Sequence, residues 1–465
     1  MSSFSQHNNK SYNRLSLTNI LQERSLTLSL ACWLSLYPEY YWNDDNEYQY
    51  IKSQVESIIP CYDDIKEDNN WLPNNNAFIL PKATTNTTTT RIDTRLPINI
   101  KDNNNIKIYT DYDVIKNEVI DYLSSNITIV DNEDDADFLF LTRHVKEFLK
   151  INKILNQFPY EGGIVSKDLL PLTVRGYCYK YDSNGQQSIP PKWWLPCYDL
   201  STEFHFLSVE YKRREKYGLS NKWIIKPAQG TRGLGHIIVD DKAGLIGIAN
   251  AAPLLKSFDN PNSETNNTTT DRIAQLLVEK PLLVNGYKFD LRVFVVVRSF
   301  IPFDAYVHNL FYARLANKVY DVTKVKDNEV MLTVNCYSED EDIANKQQRL
   351  TRNNLKIALE NEYKDSLNWE QDSIESMYTL LTEFFGGVAR SIGSWPNSRA
   401  YYAVDIIFDH SDEIPMPYLV ECNFMGDWHG MQNAFEPDDY HQWVNDILLS
   451  LASKDELDSS KFRKL

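Results

Sequence analysis

The stretch Trp223–Val239, WIIKPAQGTRGLGHIIV, sets a lysine at the mouth of a glycine-rich turn. Apolar Trp223-Ile224-Ile225 delivers Lys226, the run breaks at Pro227, and Gly230, Gly233 and Gly235 precede a second apolar run, Ile237-Ile238-Val239. Glycine lets the backbone take φ > 0 and come close to a ligand, so successive N–H groups can cradle phosphate oxygens. Lys226 would add a point charge to the same phosphates. The pattern also fits a tight β-turn beside a surface lysine. It is not a Walker A motif, which needs Gly-Lys-Ser/Thr running into a helix. Nor is it a dinucleotide fingerprint, because strand-forming, β-branched residues follow it. A loop flanked by strands fits a lid over nucleotide phosphates, and that reading requires metal ligands further along the chain.

Lys288-Phe289-Asp290-Leu291-Arg292 leads into the apolar run Val293 to Val297. Strand side chains alternate faces, so Lys288, Asp290 and Arg292 point one way while Phe289 and Leu291 point into the core. Three charges on one face of such a strand are costly unless they meet a charged ligand or one another. The plainer alternative is a structural Lys–Asp–Arg ladder on an edge strand. Asp405 stands between Val404 and Ile406, and Glu421-Cys422-Asn423 sets Glu421 and Asn423 on one face of a further strand. An Asp on one strand and Glu-x-Asn on its neighbour offer hard oxygens, the donors that Mg2+ prefers when it bridges a nucleotide's phosphates.

The elements that must position these residues read as α/β from Lys107 onward. Short strands are predicted at Ile108-Tyr109, Phe138–Leu141 and Leu276–Val278, and helices at Asp113–Ser124, Lys146–Asn156, Phe204–Tyr217, Asn353–Glu360 and Ile374–Val388. Ile374, Met377, Leu380, Leu381, Phe384 and Val388 give the last of these a core-facing stripe. The acid run Asp131–Asp137 has no spacing that fixes a common face and reads as a solvated loop. PPKWWLP, Pro190–Pro196, reads as a turn-rich junction between lobes, and Lys212, Arg213, Arg214 and Lys216 give the helix around them a basic face. Leu15–Leu36 has leucine spacing for a buried helix, whereas Asp63–Asn105 and Asp259–Asp271 are Asn/Thr-rich and too polar to offset their ordering entropy.

A chain of 465 residues can hold two or three domains around a large core. Its 42% apolar and 24% charged residues are those of a globular protein. A net charge of −16 argues against a general nucleic-acid or anionic-membrane binder, and no apolar run reaches membrane-spanning length. Cys32, Cys61, Cys178, Cys197, Cys336 and Cys422 are scattered, which is the pattern of reduced thiols in a cytoplasmic protein without a zinc site.

WIIKPAQGTRGLG, EKPLLVNGYKFDLRVFV, YARLA and the Asp405…Glu421-x-Asn423 set resemble the tubulin–tyrosine ligase-like family, in that family's order, from about Lys107 to Leu451. NQFPYE (156–161), SRAYYAVD (398–405) and ECNF (421–424) are most similar to its divergent twelfth branch. That branch carries an additional SET-like N-terminal region, of which the residues ahead of Lys107 fall short. The resemblance implies an α+β (α/β) ATP-grasp fold: a divergent helical region (1–62), a low-complexity linker (63–106), a pre-grasp lobe (107–200), a central lobe (201–285) with an insertion (259–271), and a C-terminal lobe (286–465). It further implies ATP and Mg2+, a free amino acid as co-substrate, and tubulin or another acidic protein tail as acceptor, in the cytoplasm and on the cytoskeleton. Residue by residue, Lys167, Lys226, Gly230, Gly233, Gly235, Gln275, Lys288, Asp290 and Asn335 match the nucleotide site. Arg292 and Arg314 match arginines that hold the acceptor carboxylate and the acyl-phosphate. Asp405, Glu421 and Asn423 match the Mg2+ ligands, Glu421 also standing among the catalytic residues.

Some positions depart from the family. Gln275-Leu276 replaces Gln-Lys, Leu332-Thr333-Val334-Asn335 has an insertion in Leu-Thr-Asn, and Phe424-Met425-Gly426-Asp427-Trp428 replaces a small, proline-containing turn. Two readings therefore stand: a ligase that adds an amino acid through an acyl-phosphate, and a nucleotide-binding pseudoenzyme that regulates or scaffolds tubulin or chromatin-linked partners.

Overall fold

The computed structural model describes residues 105–181, 188–228, 235–255, 272–334, 348–426, 428–453 and 455–465. The helix expected at Leu15–Leu36 and the loops expected at Asp63–Asn105 and Asp259–Asp271 lie outside them, apart from Asn105 itself. Residues Tyr198–Ser220 fall in a separate compact unit, which contains the helix Phe204–Lys216. Its cations are partly neutralised within the helix, since Arg213 and Arg214 both reach Glu210.

The larger unit begins with four parallel strands, β1 (Ile106–Thr110), β2 (Ile127–Ile129), β3 (Phe138–Phe140) and β4 (Ile154–Leu155), in the order β2-β1-β3-β4. All three residues of β3 are buried, as expected where both faces of a parallel sheet are covered. The helix predicted at Asp113–Ser124 is present as continuous helical backbone over residues 113–122, a π-helical turn Ile115–Val119 running into a 3-10 turn Ile120–Tyr122, whereas the one predicted at Lys146–Asn156 is only a short turn, Phe148–Lys150. The second is cut short where Ile154 and Leu155 pair with β3 as strand β4. The Asn156 oxygen accepts from the Leu141 amide at 2.8 Å and its Nδ2 donates to the Leu141 carbonyl at 3.0 Å. Gln157 accepts from the Val145 amide and donates to the Leu141 and Arg143 carbonyls. These bonds hold 141–145, ahead of the predicted helix, as an irregular loop. Next come α1 (Gly162–Val165) and α2 (Leu169–Tyr177). Asp168 caps α2 by accepting from the Leu169 amide, which fixes Lys167 immediately ahead of the helix. Trp193 and Trp194, expected in a turn-rich junction, are buried, and the Trp193 indole donates to Glu383 at 2.8 Å.

The predicted hairpin forms as β5 (Trp223–Pro227) and β6 (Ile237–Val239), with Ile224 opposite Ile238. Strand β7 (Arg272–Leu276) pairs with the other edge of β5 and ends at Leu276, where the predicted strand Leu276–Val278 starts.

The central sheet is built on β8 (Tyr287–Ser299), thirteen residues long. On one edge it meets β9 (Asp304–His308) and β10 (Tyr312–Leu315), the latter followed by β11 (Arg349–Thr351). On the other it meets β12 (Ala400–Asp409), which pairs with β13 (Met416–Phe424). Strand β8 is thus interior, not the edge strand of the plainer alternative. Phe289, Leu291, Val293, Val295 and Val297 face one core, against Met377, Leu380, Leu381, Phe384, Phe385 and Val388 of the predicted helix, Glu375–Ile392. Phe294 and Val296 face the opposite core with Tyr401, Ala403 and the helix Pro437–Ala452. The three charges of β8 occupy the near end of that second face, where the apolar packing stops.

Candidate functional site

Register does most of the positioning. Arg292 lies opposite Asp405, and Asp405 opposite Glu421, so three consecutive strands set these side chains on one face. On the other side Arg292 lies opposite Tyr312 and Asp290 opposite Arg314. Asn423, two residues past Glu421, shares its face and donates through Nδ2 to Glu421 Oε1 at 3.2 Å.

The two arginines are engaged by the chain's own acids. Arg292 holds Asp405 through two N–H groups, at 2.9 and 2.8 Å. Arg314 holds Asp290 at 2.8 and 2.7 Å, and its Nη2 also lies 2.8 Å from Asp405. Thr333 donates to Asp290 at 2.6 Å. Asp405 is only 1% exposed, and a buried carboxylate is tolerated where guanidinium forks satisfy it. Each arginine keeps an Nη1 outside these pairings.

Lys226 is buried, and its ammonium donates to Gln275 Oε1 at 2.7 Å. Gln275, on the next strand, faces the Val420 carbonyl with its other end at 3.5 Å, so it ties the hairpin to the strand that carries Glu421. Lys167 reaches Glu421 at 3.7 Å. Burial pushes the Glu421 carboxyl up, but the ammonium groups of Lys167 and Lys226, with Arg292, overcome it and hold it at about 2. Burial lowers Lys288 to about 8, with Asp290 opposing and Lys226 assisting. Lys226 is lowered as well, again by burial first. Burying ammonium groups this near one another is unfavourable without a matching anion.

The structure therefore brings together Lys167, Lys226, Gln275, Lys288, Asp290, Arg292, Arg314, Asp405, Glu421 and Asn423. Gly230, Gly233 and Asn335 lie outside the described residues. Gly235 is described, with φ +69°, and its carbonyl accepts from Arg272 at 2.9 Å. Glycine is needed there for that backbone conformation.

Among the described residues no group of three His, Cys, Asp or Glu could hold a metal. The set expected for Mg2+ is different in kind: two carboxylates directly opposite each other and one amide. These are hard oxygens, and a half-turn of the Asn423 amide would present its oxygen beside them. Asp405, Glu421 and Asn423 therefore fit a hard cation that still needs phosphate or water oxygens to complete its shell.

Sequence reasoning missed two residues here. Burial and the charges of Lys226, Lys167 and Arg272 hold the His236 imidazole down to about 3, and among the described residues its buried Nδ1 has no hydrogen-bond partner. Arg349 lies directly opposite Arg314. His236 was in view within the glycine-rich stretch, whereas nothing in the local pattern marks Arg349.

A model of the tubulin-tyrosine ligase family matches residues 146–456, well over half of the chain. Tubulin–tyrosine ligase-like protein 12 of Caenorhabditis elegans is 27% identical over 348 residues, which is 72% of this chain and 47% of that protein. The Homo sapiens protein of the same description is 27% identical over 342 residues, 69% of this chain and 48% of the relative. A Homo sapiens protein described as a probable tubulin polyglutamylase is 23% identical over 274 residues, 58% of this chain and 42% of the relative. The chain thus spans about half the length of the curated relatives it matches. With its α+β arrangement of sheets and helices in the ATP-grasp manner, the chain belongs to the tubulin-tyrosine ligase family, on the branch of the like-12 proteins.

Proposed function

We propose that the chain binds MgATP at this site and uses it to join an amino acid to a carboxylate of tubulin or another acidic protein tail, acting in the cytoplasm on the cytoskeleton. The observation that carries the reading is the charge excess of the site. Lys167, Lys226, Lys288, Arg292 and Arg314 outnumber Asp290, Asp405 and Glu421 by two, in surroundings that are largely buried. A magnesium triphosphate, itself a net anion, would offset that excess.

Asp405, Glu421 and Asn423 would hold the metal, which when bound supplies charge neutralisation between phosphates. Lys226 and Lys167 bind phosphate oxygens from two sides, and Lys288 adds a third cation. An acceptor carboxylate oxygen attacks the γ-phosphorus; the P–O bond to ADP breaks and an acyl-phosphate forms. The amine of the incoming amino acid then attacks the acyl carbon, a C–N bond forms, and phosphate leaves as the nitrogen gives up its proton. Arg292 and Arg314 offer their remaining Nη1 groups to the oxyanion that develops.

The test is thermal unfolding with and without MgATP. Ligand at 100 times its dissociation constant stabilises by about 2.7 kcal/mol. That shift is expected in the full chain and lost in Asp405→Ala and Glu421→Ala. A shift that survives both substitutions, or is absent from wild type, overturns the nucleotide reading.

One observation favours a second reading, nucleotide binding without transfer: the guanidinium forks expected to take the acceptor are closed on Asp405 and Asp290. Incubation with tubulin, ATP and labelled tyrosine, glutamate or glycine separates the two. Label incorporated by wild type and lost in Arg292→Ala supports the ligase; MgATP binding with no incorporation supports the pseudoenzyme.

A further inference from the structure

Residues 395–398 form a β-turn just ahead of β12, closed by the Ser398 amide on the Trp395 carbonyl at 3.1 Å, with Pro396 at its second position. The turn is stapled to β4. Ser398 pairs with Leu155, whose amide donates to the Asn397 carbonyl at 2.9 Å and whose carbonyl accepts from the Arg399 amide at 2.8 Å. The Arg399 side chain folds back over the turn, and its Nη1 donates to the carbonyls of Arg298, Pro396 and Ser398 at 2.5, 3.2 and 3.0 Å.

Arg292 and Arg314 each close the edge made by Nε and Nη2 on a carboxylate. In Arg399 that edge has no acceptor among the described residues: Nε is buried without a partner, whereas Nη2 is not buried. The residue is half-buried. Burial first, and then Arg298, pull the guanidinium down to about 10, and the acid that opposes them, Asp304, is already engaged by Arg298 at 2.8 Å. A desolvated cation in excess over its acids is a place for an anion to settle.

An apolar surface adjoins it. The Trp395 ring lies 6.3 Å from that of Tyr160 and 6.4 Å from that of Phe148, and its indole N–H is tied to the Ile392 carbonyl at 2.8 Å. Tyr160 is 56% exposed and Leu149 65%. Tyr160 also holds φ +66°, a left-handed backbone that is costly for a bulky side chain. A strained residue thus presents an aromatic ring to solution. Tryptophan, tyrosine and arginine are the side chains on which binding energy concentrates at interfaces. Asp405 lies six residues beyond Arg399, roughly 20 Å along an extended strand, so this surface is separate from the phosphate site.

We propose that the turn at 395–399, with Tyr160, docks an acidic segment of a partner protein, an aspartate or glutamate side chain on Arg399 and an apolar neighbour of that acid against Trp395 and Tyr160. The apolar patch alone marks a surface for contact; the unmatched guanidinium selects an acid there. The docking surface does not depend on whether the chain transfers an amino acid.

Dodecapeptides displayed on phage are selected on the full chain and counter-selected on Arg399→Gln, which keeps an amide donor for the turn carbonyls and removes the charge. Enriched peptides are expected to carry an acid within two positions of an aromatic or aliphatic residue. A synthetic copy of the most enriched one should bind Arg399→Gln at least tenfold more weakly than wild type, with Arg399→Lys in between. Exchanging its acid for the amide should cost wild type the same factor and Arg399→Gln nothing further. Tyr160→Gly, which relieves the left-handed backbone, should unfold at no lower temperature than wild type and still bind the peptide more weakly, a pair of results that a purely structural role does not give. The proposal is overturned if no peptide distinguishes wild type from Arg399→Gln, if the enriched peptides lack an acid, or if Tyr160→Gly binds as wild type does. Displacement of the peptide by the β,γ-imido analogue of MgATP would overturn it too, by placing the peptide at the nucleotide site.

Discussion

Two glutamates near strand β12, one half-buried and one buried, are held in opposite states. Glu421, on the strand alongside, is driven up by burial and brought down to about 2 by Lys167, Lys226 and Arg292. Glu161, behind the strand and 4% exposed, accepts from the Phe158 amide at 3.2 Å and from the Tyr402 hydroxyl at 2.9 Å. Burial pushes it up to about 8, and these two neutral donors only partly oppose the rise. Desolvation acts on both carboxyls; the ammonium groups decide between them. A candidate site in this fold is therefore recognised by where the cations converge. The buried acid that lacks them belongs to the scaffold.

The largest effect should come from removing the ionised member. With its folded value below the usual 4.5, Glu421 contributes stability that is present above that value and lost as pH falls toward 2. Glu421→Gln should lower the stability of the ligand-free chain at pH 7 by on the order of 3 kcal/mol. In urea unfolding the gap between variant and wild type should narrow from pH 5 to pH 3. A gap that does not change with pH would show that Lys167 and Lys226 do not hold Glu421 ionised.

A smaller effect extends the comparison to a cation. Lys288, lowered to about 8 by burial, must be charged to attract phosphate, so nucleotide binding takes up a proton once the pH exceeds that value. MgATP affinity should fall as pH rises past about 8, by at most tenfold per unit. Lys288→Met should bind more weakly at pH 7 and show a flatter profile, measured by calorimetry from pH 7 to pH 9.5. The same slope in both proteins would place the titrating group elsewhere.

Much of this arrangement could be read from residue order. Alternation marked Lys288, Asp290 and Arg292 as one face, and the same period placed Glu421 with Asn423. The stripe at Ile374–Val388 matched the helix Glu375–Ile392 because a long apolar face leaves little competition. The short segments were less readable. At Lys146–Asn156 the helix yields to strand β4, whose Ile154 and Leu155 pair with Phe138 and Leu139 sixteen positions earlier, a partnership that local propensity does not register. Arg349 was illegible for another reason: its meaning depends on standing opposite Arg314, thirty-five positions earlier, and no local pattern carries that register. The engagement of Arg292 and Arg314 by Asp405 and Asp290 was hidden likewise, since charges that match a ligand and charges that match each other look the same in one dimension.

The smallest effect concerns Glu161, and its sign is the reverse of that for Glu421. A folded value raised to about 8 means that the proton is held more tightly in the native chain than in the unfolded one. Stability from this group is full below 4.5 and is lost as pH rises through 8. Glu161→Gln keeps an oxygen to accept from Tyr402 and Phe158 and cannot ionise, so the rising penalty disappears. Its amide also brings two N–H groups into a buried space, and finding partners for them costs about 1–3 kcal/mol if it fails, which offsets the gain near neutrality. The expected outcome is a melting temperature close to wild type at pH 6 and a difference that moves in favour of Glu161→Gln up to pH 9, with MgATP binding unaltered. Were the wild type to hold its stability over that range as well as the variant does, Glu161 would be ionised in place, and burial without a cation would not be what separates it from Glu421.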